Sequence, residues 1–177
     1  MKKLFFLTIL FSSLALCRIA SASEGDEEVA IFSCDVLNGR KFVELCASSP
    51  VGGENGYLVY RFGTQDANSG KRTIELEYPA EKAGSFKRFF GATYTCKGVY
   101  TQTVRFVSGE YSYTVFTRAS NHAHNPDRRA GVEVRNLHTG KTITEDCCCD
   151  WPRFYIYELK GILPGDPETP VGPACIH

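Results

Sequence analysis

The stretch "TQTVRFVSGEYSYTVF", Thr101 to Phe116, alternates apolar and polar residues on both sides of Ser108-Gly109. A period of two is the signature of a strand with one buried face, and a small-residue pair at its centre marks a hairpin. With Ser108-Gly109 as a two-residue turn, Val104 faces Tyr113 and Phe106 faces Tyr111. Val104, Phe106, Tyr111, Tyr113 and Val115 then share one face, and Arg105, Ser112 and Thr114 the other. No helical reading reproduces this pattern.

The same period recurs along the chain. "CDVLNGRKFVEL" predicts a second hairpin turning at Asn38-Gly39, with Phe32, Cys34, Val36, Val43 and Leu45 on one face and Cys46 on the other. "YLVYRF", "TIELEY", "GVEVRN" and, more weakly, "KTITED" add strands. Nine Tyr and twelve Phe fit a strand-rich chain. The fold class expected is all-β and mainly antiparallel, a β-sandwich or small barrel of about eight strands. "AEKAGSFKRFFGA" has no clear period and reads as a crossing loop with a short strand. "DWPRFYIYELKG" predicts one short C-terminal helix, capped by Asp150, with Pro152 in its first turn and Gly161 at its end. Trp151, Phe154, Tyr155 and Leu159 would form its core-facing stripe. The last residues hold four of the eight prolines and read as an extended tail. No internal repeat is evident.

The first residues, "MKKLFFLTILFSSLALCRIASA", have a basic start, a short apolar run and a small-x-small site at Ala20-Ser21-Ala22. This is the layout of a secretory signal peptide, too short for a membrane span. The division expected is a signal peptide over 1–22, one β-rich domain over 23–163 and a Pro-rich tail over 164–177, in a periplasmic or secreted protein. Lipidation at Cys17 is disfavoured by Leu14-Ala15-Leu16 ahead of it, which puts the bulky Leu16 where such sites usually want a small residue. Removing the signal takes three of the 20 basic residues and none of the 20 acidic ones, which leaves 17 against 20. A near-neutral balance argues against nucleic acid as a partner, and no transmembrane segment is expected in the mature chain.

Seven of the eight cysteines lie beyond the signal: Cys34, Cys46, Cys96, the run Cys147, Cys148, Cys149, and Cys175. In an exported chain these are disulfide candidates. Neighbouring residues of a strand point opposite ways, so the triplet offers anchors in two directions. A bond from Cys175 back to the triplet would tether the tail. Seven is odd, so one thiol stays free, hidden or shared between chains, and the chain is read as a monomer or a cysteine-linked dimer. Cys147 and Cys149 with His122 and His124 would make a zinc-like ligand set. Consecutive cysteines lack the spacing that suits one tetrahedral ion, so no metal is expected. Nor is there a C-x-x-C, a G-x-S-x-G, a phosphate-cradling glycine loop or an H-E-x-x-H, so no cofactor is expected and no residue is assigned as catalytic. Glu75 and Glu77 read as the polar face of a strand.

The polar stretch Ser120 to Arg129 lies between two strands. As a loop on a rigid sheet it offers His122, His124, Arg128 and Arg129 as binding residues, the arginines suited to a carboxylate or phosphate. Tyr57 and Tyr100 read as exposed aromatics. "FSC" at Phe32 to Cys34, "LC" at Leu45-Cys46, "YRFG" at Tyr60 to Gly63, "SYTVF" and "AGVEV" resemble a group of uncharacterised bacterial exported proteins. That resemblance implies export and a β-rich domain and carries no activity. The function expected is a disulfide-stabilised binding module for a protein or cell-envelope component, with inhibition of a secreted hydrolase as one form. The alternative is a secreted hydrolase-like enzyme with a His/carboxylate site assembled in space.

Overall fold

A computed structural model describes residues 27–53, 55–120, 128–169 and 175–176, with the backbone alone for residues 149–154 and 176. The described chain forms eleven strands and two short 3-10 turns, in the order β1 Glu28–Val36, β2 Lys41–Ser48, β3 Leu58–Gln65, β4 Arg72–Tyr78, β5 Phe90–Cys96, β6 Val99–Ser108, β7 Tyr111–Ser120, β8 Arg128–Asn136, β9 Thr142–Asp146, β10 Cys148–Phe154 and β11 Cys175–Ile176. They make two antiparallel sheets, ordered β10-β1-β2-β3-β4 and β11-β5-β6-β7-β8-β9. Neither sheet closes on itself, so the barrel is excluded and the fold is sandwich-like.

The period-two residues do what their spacing dictates. Phe32, Cys34, Val36, Val43, Leu45, Leu58 and Tyr60 of the first sheet share one buried cluster with Val104, Phe106, Val115 and Val132 of the second. Aromatic rings join the layers: Phe106 stacks on Tyr113 and on Tyr78, with centroids 4.9 and 4.4 Å apart, and Tyr60 packs against both Phe106 and Tyr113. Offset rings at such distances add about 1 kcal/mol each beyond their buried area. The chain changes sheet three times. Residues 79–89, including the 3-10 turn Ser85–Arg88, carry it from β4 to β5, Cys147 carries it from β9 to β10, and the segment after β10, which bridges Gly91 at Gly165, returns it to the second sheet and β11.

The first hairpin keeps its expected register, Cys34 opposite Val43 and Val36 opposite Lys41. In the second, Phe106 lies opposite Tyr113 and Val104 opposite Val115, so the turn is Gly109-Glu110. The pairing slips by two residues, which preserves the faces, and leaves Tyr111 exposed at the strand end. The cause is Gly109, whose φ of +57° supplies the first central position of the turn. Gly109→Ala should therefore cost about 1–2 kcal/mol through backbone strain alone, because no heavy atom lies near a Cβ built there. Urea unfolding checks this, and an unchanged midpoint would contradict it.

The expected C-terminal helix is absent. Cys148–Phe154 is an edge strand on β1, and only Ile156–Leu159 makes a 3-10 turn. Proline is tolerated on an edge strand, and the aromatic residues around it favour extended backbone. Of the stripe expected on that helix, Leu159 is buried in the core and Tyr155 is exposed. The side chains of Trp151 and Phe154 lie outside the described residues. The described residues likewise form eleven strands, not about eight, because β5, β10 and β11 lack a readable alternation.

Candidate functional site

Both outer sheet faces are locked by their own side chains. On the first sheet, Arg61 of β3 is 2% exposed. Its Nη1 and Nη2 donate to the two Glu28 carboxylate oxygens at 2.8 and 3.1 Å, and its Nε donates to Glu77 at 2.7 Å. Lys82 Nζ and the Tyr57 hydroxyl also donate to Glu28, at 2.8 and 3.0 Å. Tyr57, expected at the surface, is 4% exposed for this reason. Burial opposes ionisation of Glu28, but the hydrogen bonds from Arg61 and Lys82, helped by the Arg61 charge and Tyr57, outweigh it and bring its pKa down to about 2. Beside this cluster, Arg72 pairs with Glu44 and covers the ring of Phe42. That ring lies against Gly63, where a Cβ would come within 2.8 Å of it.

The second sheet repeats the device. Arg118 covers Phe116 and pairs with Glu133 at 3.1 Å, and Phe116 sits opposite Gly131. Arg105, expected on a solvated face, is buried. The tail crosses it, so that Nε and Nη2 donate to Asp166 at 2.8–2.9 Å and Nη1 meets Glu168 at 3.2 Å. Ser112 is buried on the same face. Glu75 and Glu77 do not act together: a bulge at Glu75 sends it to Lys41, while Glu77 meets Arg61.

The inner face of the second sheet offers the other kind of surface. Beyond its core row, β6, β7 and β8 continue in unbroken register through Gln102, Thr117 and Ala130 and then through Tyr100, Ala119 and Arg128. Strand alternation puts all six side chains on the core-facing side. Ala130 is still buried, Gln102, Thr117 and Ala119 are half-buried, and Tyr100 and Arg128 are exposed, Tyr100 at 43%. Tyr100 and Arg128 thus share one row two strand spacings apart, about 10 Å, with only the methyl of Ala119 between them. On β5, Thr95 and Thr93 extend the two rows. Thr93 also lines a cleft of about 280 Å³ between β5, β6 and the chain after β10.

This ledge gathers some of the expected binding residues and separates others. Arg128 and Arg129 begin β8, so they point to opposite faces. Arg128 joins Tyr100 on the ledge, whereas Arg129 lies on the outer face and pairs with Asp146. His122 and His124 lie outside the described residues. Gln102, Thr117 and Ala119 drew no attention in the sequence, because small and polar inward positions look like a weakening strand. Their alternation with Val115 and Val104 was the available signal.

The cysteines form disulfides between Cys34 and Cys147 and between Cys96 and Cys175. Cys46 is also disulfide-bonded, to a partner outside the described side chains. Cys175 therefore returns to β5 and not to the triplet: β11 lies antiparallel to β5, with Cys175 opposite Cys96. Cys148 is a half-buried free thiol whose sulfur accepts the Gly39 N–H at 3.1 Å. With Cys147 held by Cys34, the zinc-like set proposed with His122 and His124 lacks one of its thiolates. Among the described residues, no three His, Cys, Asp or Glu side chains are placed to hold a metal, and no helix is long and apolar enough to cross a membrane.

Fold and site together define a disulfide cross-linked, two-sheet β-protein with charge-paired outer faces and, on the inner face of the second sheet, a part-exposed row of Tyr100, Ala119 and Arg128. The chain matches no protein family, no curated protein and no solved structure.

Proposed function

We propose that the chain is an exported binding module of β-sandwich architecture that recognises a protein or cell-envelope component through the ledge around Tyr100 and Arg128. The observation that carries this reading is the row Tyr100–Ala119–Arg128, an aromatic and a guanidinium on a rigid sheet with a small residue between them. Tyrosine and arginine are the side chains that most often dominate recognition energy. Held two strands apart, they suit a carboxylate-bearing segment that lies across the strands, its acid on Arg128 and its apolar part on Tyr100. The apolar leader at the N-terminus and the disulfides support an oxidising compartment. Inhibition of a secreted hydrolase is one concrete form of this role, taken from class analogy alone.

The test places a photo-reactive benzoylphenylalanine at Tyr100 in the producing cells, with a second version at exposed Tyr157 as reference. A defined adduct formed from position 100, absent from position 157 and reduced at least tenfold by Arg128→Glu, is the expected result. No adduct from position 100, or one indifferent to Arg128→Glu, overturns the ledge.

A further inference from the structure

The cleft beside the ledge is built differently from it. Its floor is apolar: Val104 of β6 with Ile156 and Leu159 of the second 3-10 turn, all buried. Leu163 forms one wall, and Thr93, on the same face of β5 as Gly91, brings a hydroxyl to its side. The volume of about 280 Å³ is roughly twice that of an apolar cavity that takes up a benzene ring. Protein interiors close voids of that size when nothing holds them open.

Here the walls are held. The chain after the 3-10 turn is clamped on β5 at one residue: the Gly91 N–H donates to the Pro164 carbonyl at 2.8 Å, and the Asp166 N–H donates to the Gly91 carbonyl at 3.0 Å. Leu163 lies over Gly91 so closely that a Cβ there would stand 3.3 Å from it. Beyond the clamp, Asp166 is fixed by the three hydrogen bonds from Arg105. The segment can neither swing away nor sink into the cleft, so the space is preformed.

The mouth carries one cation. Lys160 lines the cleft, is exposed, and makes no ion pair with any described residue. The tail carboxylate Asp166 is already neutralised by Arg105, and Glu158 on the same turn does not line the cleft. An apolar pocket with a few polar groups and one unpaired charge at its opening is the usual form of a small-ligand site. We infer that this cleft binds a small amphipathic anion, a carboxylate with an apolar body of about eight carbons, the body resting on Val104, Ile156, Leu159 and Leu163 and the acid meeting Lys160. The site shares only Thr93 with the ledge, so it stands or falls independently of the partner proposed there.

Octanoate is the probe, titrated into the oxidised mature chain by isothermal calorimetry and amide chemical shifts, with octylammonium as the charge-reversed control. Saturable one-to-one binding with a sub-millimolar dissociation constant is expected, with shifts confined to residues 91–93, 103–104 and 156–165. Octylammonium should bind at least fivefold more weakly. Lys160→Glu and Lys160→Gln should each weaken octanoate at least fivefold, and Thr93→Phe, which adds bulk on the cleft's own face of β5, should abolish it. Thr93→Leu serves where the phenylalanine variant does not fold. The absence of saturable octanoate binding overturns the proposal, as does equal affinity for octylammonium or no response to the Lys160 changes.

Discussion

Arg61→Met lowers the stability of the fold by about 3–5 kcal/mol, the size expected when one partner is removed from a buried ion cluster. Glu28, with a side chain 6% exposed, loses two charged hydrogen bonds and keeps only Lys82 and Tyr57. Glu77 loses its partner as well, although at 34% exposure water replaces much of that interaction. Urea unfolding at pH 7 should show the midpoint falling with the slope unchanged. Glu28→Gln added to Arg61→Met should recover part of the loss, because the stranded charge is gone. A single-variant loss below about 1 kcal/mol would mean that water reaches the cluster.

The same cluster sets an acid limb. The Glu28 pKa is lowered from 4.5 to about 2 by the folded environment, so the unfolded chain takes up this proton first. Its contribution is fully present above pH 4.5, is lost as pH falls toward 2, and amounts to about 3 kcal/mol. In Arg61→Met that window should flatten, and the stability curves of the two proteins should converge below pH 3. Parallel curves would assign the acid limb to other carboxylates.

Arg61 also shows where sequence reading stops. The alternation in "YLVYRF" puts Leu58, Tyr60 and Phe62 on one face, which leaves Arg61 on the other, and the strand has them so. An outward position on a one-sided sheet is ordinarily a solvated one. Arg61 is not, because Glu28, Glu77 and Lys82 converge on it from three other segments, and Tyr57 is drawn under with them. Arg105 repeats the point, since the tail that buries it is 61 residues away in sequence. Strand faces follow from local spacing. What covers an outer face, and which cysteine the tail reaches, depends on chain paths that no local period encodes. The ledge falls between these cases: the sequence offers Arg128 as a binding candidate, but its place in one row with Tyr100 needs the register of three strands. The Asp150–Gly161 segment was misread because capping signals and a proline outweighed, in the local reading, the free edge of β1 that claims it as β10.

Removing the Cys34–Cys147 disulfide by Cys34→Ala with Cys147→Ala should cost about 5 kcal/mol. The bond closes a loop of 113 residues, and confining the unfolded chain over that span is worth about 5 kcal/mol in the loop-entropy account. It also ties β1 to the crossing between the sheets, so the folded state gains no freedom to offset the loss. Removing Cys96–Cys175 relieves a loop of 79 residues, which by chain entropy alone is nearly as large. Yet Cys175 belongs to a strand of two residues, and once released that short strand frays in the folded state too. The gain in native freedom cancels part of the entropic loss, so this double variant should cost about 1–2 kcal/mol, with Asp166 still holding Arg105. Two thermal unfolding curves under non-reducing conditions separate these expectations. If both variants fall equally, the loop-entropy account alone is sufficient and the β11 end is held as firmly as the sheet crossing. If Cys34–Cys147 costs much more, cross-links in this fold stabilise in proportion to the native structure they cannot be detached from.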